Sequence, residues 1–171
     1  MKLNLISALV LCFTPAMFAA DGHKALRGTV ETIDVAGEVM ELKTPDGVVY
    51  QITVTEAAEV DGVKARRPVL GAIKKGSVVV AHGVAKGSTV AAVGVYRVGK
   101  GGLEVSQVTV KAVGDGGKFL VVTTAKGAEE TYHISSTAVA TAAKGTAKGT
   151  KVAVYSTTRA GRKVAHFFES L

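Results

Sequence analysis

The chain has 171 residues, 47% of them apolar and 20% charged, with 21 Lys and Arg against 14 Asp and Glu and a formal charge of +7. Its one cysteine, Cys12, lies near the start, which excludes a disulfide framework, a thiolate metal site and a cysteine nucleophile from the rest of the chain. A basic balance of this kind favours anionic partners over cationic ones.

Residues 1–20 read as a signal peptide. Lys2 precedes an apolar run from Leu3 to Phe13, followed by helix-breaking Pro15 and by Ala16, Ala19 and Ala20 before the first acid, Asp21. The run is shorter than the roughly 20 residues a membrane-crossing helix needs, and no comparable stretch follows, so no transmembrane segment is expected after removal. Leu11 before Cys12 does not suit lipid attachment, and Phe18 stands where a small residue usually precedes cleavage. The reading predicts a periplasmic or secreted protein, with an uncleaved anchor as the alternative. Removal takes away Lys2 alone among charged residues and leaves +6.

Cleavage after Ala20 exposes Asp21-Gly22-His23 at a free amino terminus. The terminal amine, two deprotonated backbone amides and the imidazole of the third residue offer Cu(II) or Ni(II) the square-planar nitrogen set these ions prefer. Asp21, Gly22 and His23 are therefore candidate metal-binding residues. A simple disordered tail is the bland alternative.

Five valine-rich strands are expected next, at 27–35, 38–44, 48–54, 77–84 and 88–96, separated by turn pairs such as Asp46-Gly47 and Lys86-Gly87. The connection from Thr55 to Lys75 is longer. Its alanines could support a short helix, limited by Gly62, Pro68 and Gly71. Residues 94–107 then read as a continuous hairpin around Gly99-Lys100-Gly101-Gly102, leading into a second copy of the same pattern, with tethered independent domains as the alternative.

The copies match at a spacing of roughly 75 to 80 residues with the order of pieces kept. Val30-Glu31-Thr32-Ile33 parallels Val110-Lys111-Ala112-Val113, Tyr50-Gln51-Ile52 parallels Tyr132-His133-Ile134, and Lys75-Gly76-Ser77 parallels Lys148-Gly149-Thr150. In the second copy the tract from Ala138 to Lys148 suits a mobile loop or a poor helix equally. The expected domains are 21–98 and 99–171, each small enough to need support from the other.

Three strands, a longer connection and two more strands is the element order of an OB-type barrel, so the fold class is all-β, two tandem small five-stranded OB-like barrels after the signal peptide. Here the chain resembles a family of exported bacterial domains of unknown function with OB-like folds. The resemblance rests on Gly28-Thr29-Val30 with Ile33-Asp34, on Asp46-Gly47 before a strand ending in Thr, on Leu70 and Ile73 before Lys75-Gly76, and on the closing valine strand. It covers nearly all of the first copy. The second departs from it with Gly114 in place of Asp34 and no Leu or Ile before Lys148-Gly149. The resemblance implies a fold and an export class, not an activity.

Catalytic signatures fail on mechanism. Gly94 to Lys100 has phosphate-loop spacing, but Gly101 replaces the hydroxyl that would hold magnesium, and Val95-Tyr96-Arg97-Val98 reads as strand. Glu31, Asp34, Glu38 and Glu41 read as neighbours on an exposed strand face, as do Asp115, Glu129 and Glu130 beside turns; a glycosidase needs two acids facing across a cleft. Tyr50 and Tyr132 share their strand phase with Ile52 and Ile134 and should look inward. His82, His133 and His166 form no local metal motif, and His133 falls on the outward phase. Lys75, Lys86, Lys100, Lys126, Lys144 and Lys148 each precede a glycine, as at turn tips.

The resulting expectation is an exported, non-catalytic binding or structural module of the cell envelope, meeting an envelope or extracellular partner of polyanionic character. Nucleic acid is disfavoured because export puts the surface in the wrong compartment. The alternative reading is Cu(II) or Ni(II) binding through Asp21-Gly22-His23. An enzyme built from a cleft between the copies has no sequence feature in its favour.

Overall fold

The structure, a computed structural model, describes residues 22–64 and 69–171. The expected signal peptide, 1–20, and Asp21 lie outside the described residues. In chain order the first copy contributes β1 (Gly22–Asp34), β2 (Val39–Lys43), β3 (Val49–Val60), β4 (Val63–Lys64), β5 (Val78–Lys86) and β6 (Thr89–Arg97). The second contributes β7 (Glu104–Gly114), β8 (Phe119–Thr124), β9 (Glu129–Ile134), α1 (Thr137–Lys144), β10 (Lys151–Arg159) and β11 (Arg162–Ser170).

Both copies close into five-stranded barrels by the same connectivity. In the first, β1 pairs with β2 and β5, β2 with β3, and β5 with β6, all antiparallel; β3 and β6 run parallel, with Ile52 opposite Val90. In the second, β7 pairs with β8 and β10, β8 with β9, and β10 with β11, and the parallel pair is β9 with β11, Tyr132 opposite Lys163. This is the OB-like order expected from the sequence, and closure leaves neither sheet with an open edge along these strands.

The repeat extends to irregularities. β1 shifts register between Val30 and Thr32, and β7 does so between Val110 and Ala112. Opposite the step from His82 to Gly83, β6 carries the extra residue Val93, and opposite the step from Tyr155 to Ser156, β11 carries the extra residue His166. Bulges bend a strand and raise its twist, which a sheet this narrow needs in order to close.

Strict alternation fills each barrel. Met40, Leu42, Ile52, Val54, Val79 and Val90 are buried in the first core, and Val110, Leu120, Val122, Tyr132, Val152 and Val154 in the second. Each such side chain contributes about 1.5–3 kcal/mol on burial. Leu70 and Ile73, at a 3-10 turn over Val69–Ala72, join the first core.

Several boundaries differ from the sequence expectation. β1 begins at Gly22, because Gly22 to Leu26 extend the antiparallel ladder along β5. β3 runs on to Val60, with Ala58 and Val60 buried, so the first part of the expected loop is strand. The alanine tract of the second copy is helical over Thr137–Lys144, started by the Ser136 hydroxyl accepting from Val139 N at 3.4 Å. The expected hairpin between copies is reduced to a tight turn, in which Val98 bridges Leu103 while β6 and β7 pair with other strands. Among the described residues no helix is long and apolar enough to cross a membrane.

Candidate functional site at the barrel junction

The junction arises from strands that are apolar on both faces. Along β5, Val79 and Ala81 enter the first core while Val80 and His82 face outward. Along β10, Val152 and Val154 enter the second core while Ala153 and Tyr155 face outward. These outer faces meet: Val80, Tyr96, Leu103, Ala153 and Tyr155 form a third buried cluster, flanked by Val98 and Phe167. Tyr155 stacks obliquely on Phe167 at 5.5 Å, donates to Glu169 at 2.6 Å, and carries the Arg27 guanidinium over its ring. Burial and the Glu169 hydrogen bond push the Tyr155 phenol up to about 12.

Beside this cluster lies a polar one built from both barrels. His82 on β5 and His166 on β11 are buried, at 6% and 3% exposure, with ring centroids 6.4 Å apart. Tyr96 packs against both, at 5.6 Å from His82 and 4.0 Å from His166. His82 lies flat on β6 because position 94 is glycine; a Cβ there would come within 2.6 Å of its ring and 2.9 Å of Tyr96. His166 Nε2 is 3.0 Å from Thr157 Oγ1, and Tyr96 OH donates to Glu59 at 3.3 Å. Arg159 crosses to the first barrel, 3.7 Å from Glu59 and bonded to the Gly62 carbonyl. Arg97 holds Asp61 with its backbone N–H at 2.7 Å and its guanidinium at 2.6 Å. A cavity of about 320 Å³ opens alongside, between Asp61, Tyr96 and Glu104 on one side and Thr157 to Arg159 on the other.

Burial sets the chemistry. It lowers His82, against a smaller opposing pull from Glu59, and it lowers His166 to about 4, helped by His82 and Arg159. Burial and Glu59 raise Tyr96, so its phenol stays a proton donor. The Thr157–His166 contact has the reach of a nucleophile and its base, but an imidazole held near pKa 4 is a weak base at neutral pH. His166 Nδ1 has no hydrogen-bond partner among the described residues, so no carboxylate orients the ring for proton abstraction.

A second surface carries charge. Residues 99–171 hold ten Lys and Arg against five Asp and Glu, while residues 21–98 hold ten against nine. Three acids of the second copy are already paired: Asp115 with Lys118, Glu129 with Lys111, and Glu130 with Lys163. Lys126, Lys144, Lys148 and Lys151 are exposed. In five of the six Lys-Gly pairs the glycine, at 76, 87, 101, 127 and 149, has positive φ, as turn tips require. Lys151 lines a cavity of about 200 Å³ with Gln107, Thr109, Thr123 and Thr124, where β7 passes from β8 to β10. The first barrel has its counterpart at Arg27, Thr29, Lys43 and Thr44, but there Glu31 lines the space and Arg27 is drawn to Glu169 at 3.6 Å.

Gly22 and His23 stand at the head of β1, opposite Ala85 and Val84, with the rest of the described site residues elsewhere. His23 is exposed beside a groove of about 290 Å³ floored by Ala138, Ala142 and Phe168. Tyr50 and Tyr132 are buried core residues, as their strand phase predicts. His133 is half-buried, edge-on to Phe119 at 5.5 Å. Glu31, Asp34 and Glu41 keep access to solvent, but Glu38 departs from that reading: it is 5% exposed, on a left-handed backbone at φ 55°.

Sequence reasoning missed the His82–His166 pair because the two lie in different copies at unmatched positions. The signal was the runs Val78-Val79-Val80-Ala81 and Val152-Ala153-Val154-Tyr155, which lack the polar alternation of a half-exposed strand. Compared with known proteins, the chain matches no family model and no curated sequence.

Proposed function

We propose that the protein is an exported, non-catalytic binding module of the cell envelope, periplasmic or secreted, whose second barrel takes a polyanionic partner. It would stand with exported bacterial domains of this barrel type. One observation carries the reading: the excess positive charge sits on residues 99–171, at exposed turn lysines and around a threonine-lined cavity. Hydroxyls and ammonium groups together donate hydrogen bonds to anionic oxygens, and a cavity open to solvent suits repeated groups along a polymer.

The test is retention on an immobilised sulfated polysaccharide, using the chain from residue 21. Wild type should bind at low salt and elute by about 0.3 M, where the screening length has fallen below about 8 Å. Changing Lys126, Lys148 and Lys151 to Glu should abolish retention. The matched change of Lys74, Lys75 and Lys86 on the first barrel should leave most of it. Equal loss in both triple variants would assign binding to net charge alone and sink the second-barrel reading.

The second reading is Cu(II) or Ni(II) binding by Asp21, Gly22 and His23, favoured by the exposure of His23. Wrapping the ion needs the amides of Gly22 and His23, so both residues must leave the ladder with β5. Metal addition should produce a visible absorption band that His23→Ala removes. A band that persists in that variant ends the idea.

A further inference from the structure

We propose that the His82–His166 pair is an acid-operated latch between the two barrels, whose protonation parts the barrels along this face while each barrel stays folded. The inference does not rest on the polyanion reading. His82 belongs to one barrel and His166 to the other, and both are buried where the barrels meet. Three of their four ring nitrogens have no hydrogen-bond partner among the described residues; the fourth meets only Thr157. Neutral rings packed against Tyr96 fit that pocket, whereas a buried imidazolium with no hydrogen-bonded counter-ion does not.

Among the surrounding charges only Glu59 favours a protonated ring, at His82, and its pull is smaller than the cost of burial. From β3, Glu59 is engaged by Tyr96 and Arg159, and in the turn after it Asp61 is engaged by Arg97 of β6. From β10, Thr157 faces His166, and Arg159 adds positive charge near it. On β1, Lys24 lies over Tyr50 and Arg27 over Tyr155 beside Glu169 of β11. On β9, Glu130 is held by Lys163 and His133 packs on Phe119. The first ring to take a proton also repels the second.

The sign follows from burial. An imidazole in the parted or unfolded chain titrates near 6.5, while His166 in the closed junction is held at about 4. The contribution of the neutral ring to closure is complete above pH 6.5 and is lost as pH falls from 6.5 towards 4. For His166 alone that shifts the closed-to-parted ratio by roughly a few hundredfold. Parting does not require unfolding, because each barrel keeps its own buried core. It uncovers the apolar face of Val80, Tyr96, Ala153 and Tyr155.

The experiment is small-angle scattering with far-ultraviolet circular dichroism on the chain from residue 21, between pH 7 and 4, beside the variant His82→Phe/His166→Phe, which keeps the ring stack and every ion pair. Wild type should lengthen reversibly in that window with its strand signal intact, and the variant should stay compact. Lengthening of both at the same pH would give the effect to the carboxylates and overturn the latch, as would a wild type that stays compact or loses its strand signal. Should the variant fail to fold, histidine ring NMR of wild type decides. Protonation of His82 and His166 should coincide with lengthening, and a ring that titrates while the barrels remain closed refutes the proposal.

Discussion

His82 depends on an atom that is missing. Gly94 lets its ring rest on the β6 backbone, and a Cβ at 94 would come within 2.6 Å of that ring and 2.9 Å of Tyr96. A side chain free at its end would swing aside, but this ring is covered by Tyr96 and His166. Gly94→Ala should therefore cost about 1–3 kcal/mol, the range for overpacking a closed site. In a His82→Ala background the same substitution should cost less, because the nearer of the two colliding rings is gone and Tyr96 can shift into the space it leaves. Urea unfolding of the four proteins in this cycle measures the difference, and equal costs in both backgrounds would show that Gly94 is held for another reason.

Among elements, the strands that alternate were legible from sequence and the ones that do not were only half legible. β2 and β8 read directly, since Met40 and Leu42, or Leu120 and Val122, point one way with more exposed neighbours between. The ends of β1 and β3 did not, because what extends them is a partner strand: Gly22 to Leu26 on β5, and Glu59 and Val60 on β6 and β4. The chemistry of the junction was illegible for a related reason, as outward residues are expected to meet water unless another domain covers them. The alanine tract after β9 could be read either way until its first turn was seen. Ser136 supplies the acceptor that the start of α1 lacks, although at 3.4 Å the bond is long. Ser136→Ala should then cost about 0.5–1 kcal/mol, the lower part of the range for a lost cap. Amide exchange at Val139 to Ala143 should speed by the corresponding factor while β8 and β9 keep their protection. A global loss of protection would mean that α1 and the barrel unfold as one.

Taken as a whole molecule, the chain has two barrel cores and a third apolar cluster belonging to both. Small domains bury too little surface to be comfortable alone, and here no disulfide makes up the difference between residues 22 and 171. The shared cluster should therefore fuse two weak transitions into one. Tyr155 is the side chain to remove, since from its own barrel, where it packs on Phe167 and bonds Glu169, it reaches Arg27 and the cluster with Val80 and Tyr96 of the other. Tyr155→Ala should cost about 3–5 kcal/mol, as for a large buried aromatic, and the loss should fall on coupling more than on either core. Calorimetry at pH 7 should show one unfolding peak in wild type and two in the variant, the first at a markedly lower temperature. A single peak that merely moves down would mean that the barrels remain coupled through the Val98–Leu103 turn and the Arg159–Glu59 contact. Two peaks already present in wild type would mean that the apolar cluster contributes little to either barrel, and the acid latch would then work against a junction that is weak to begin with.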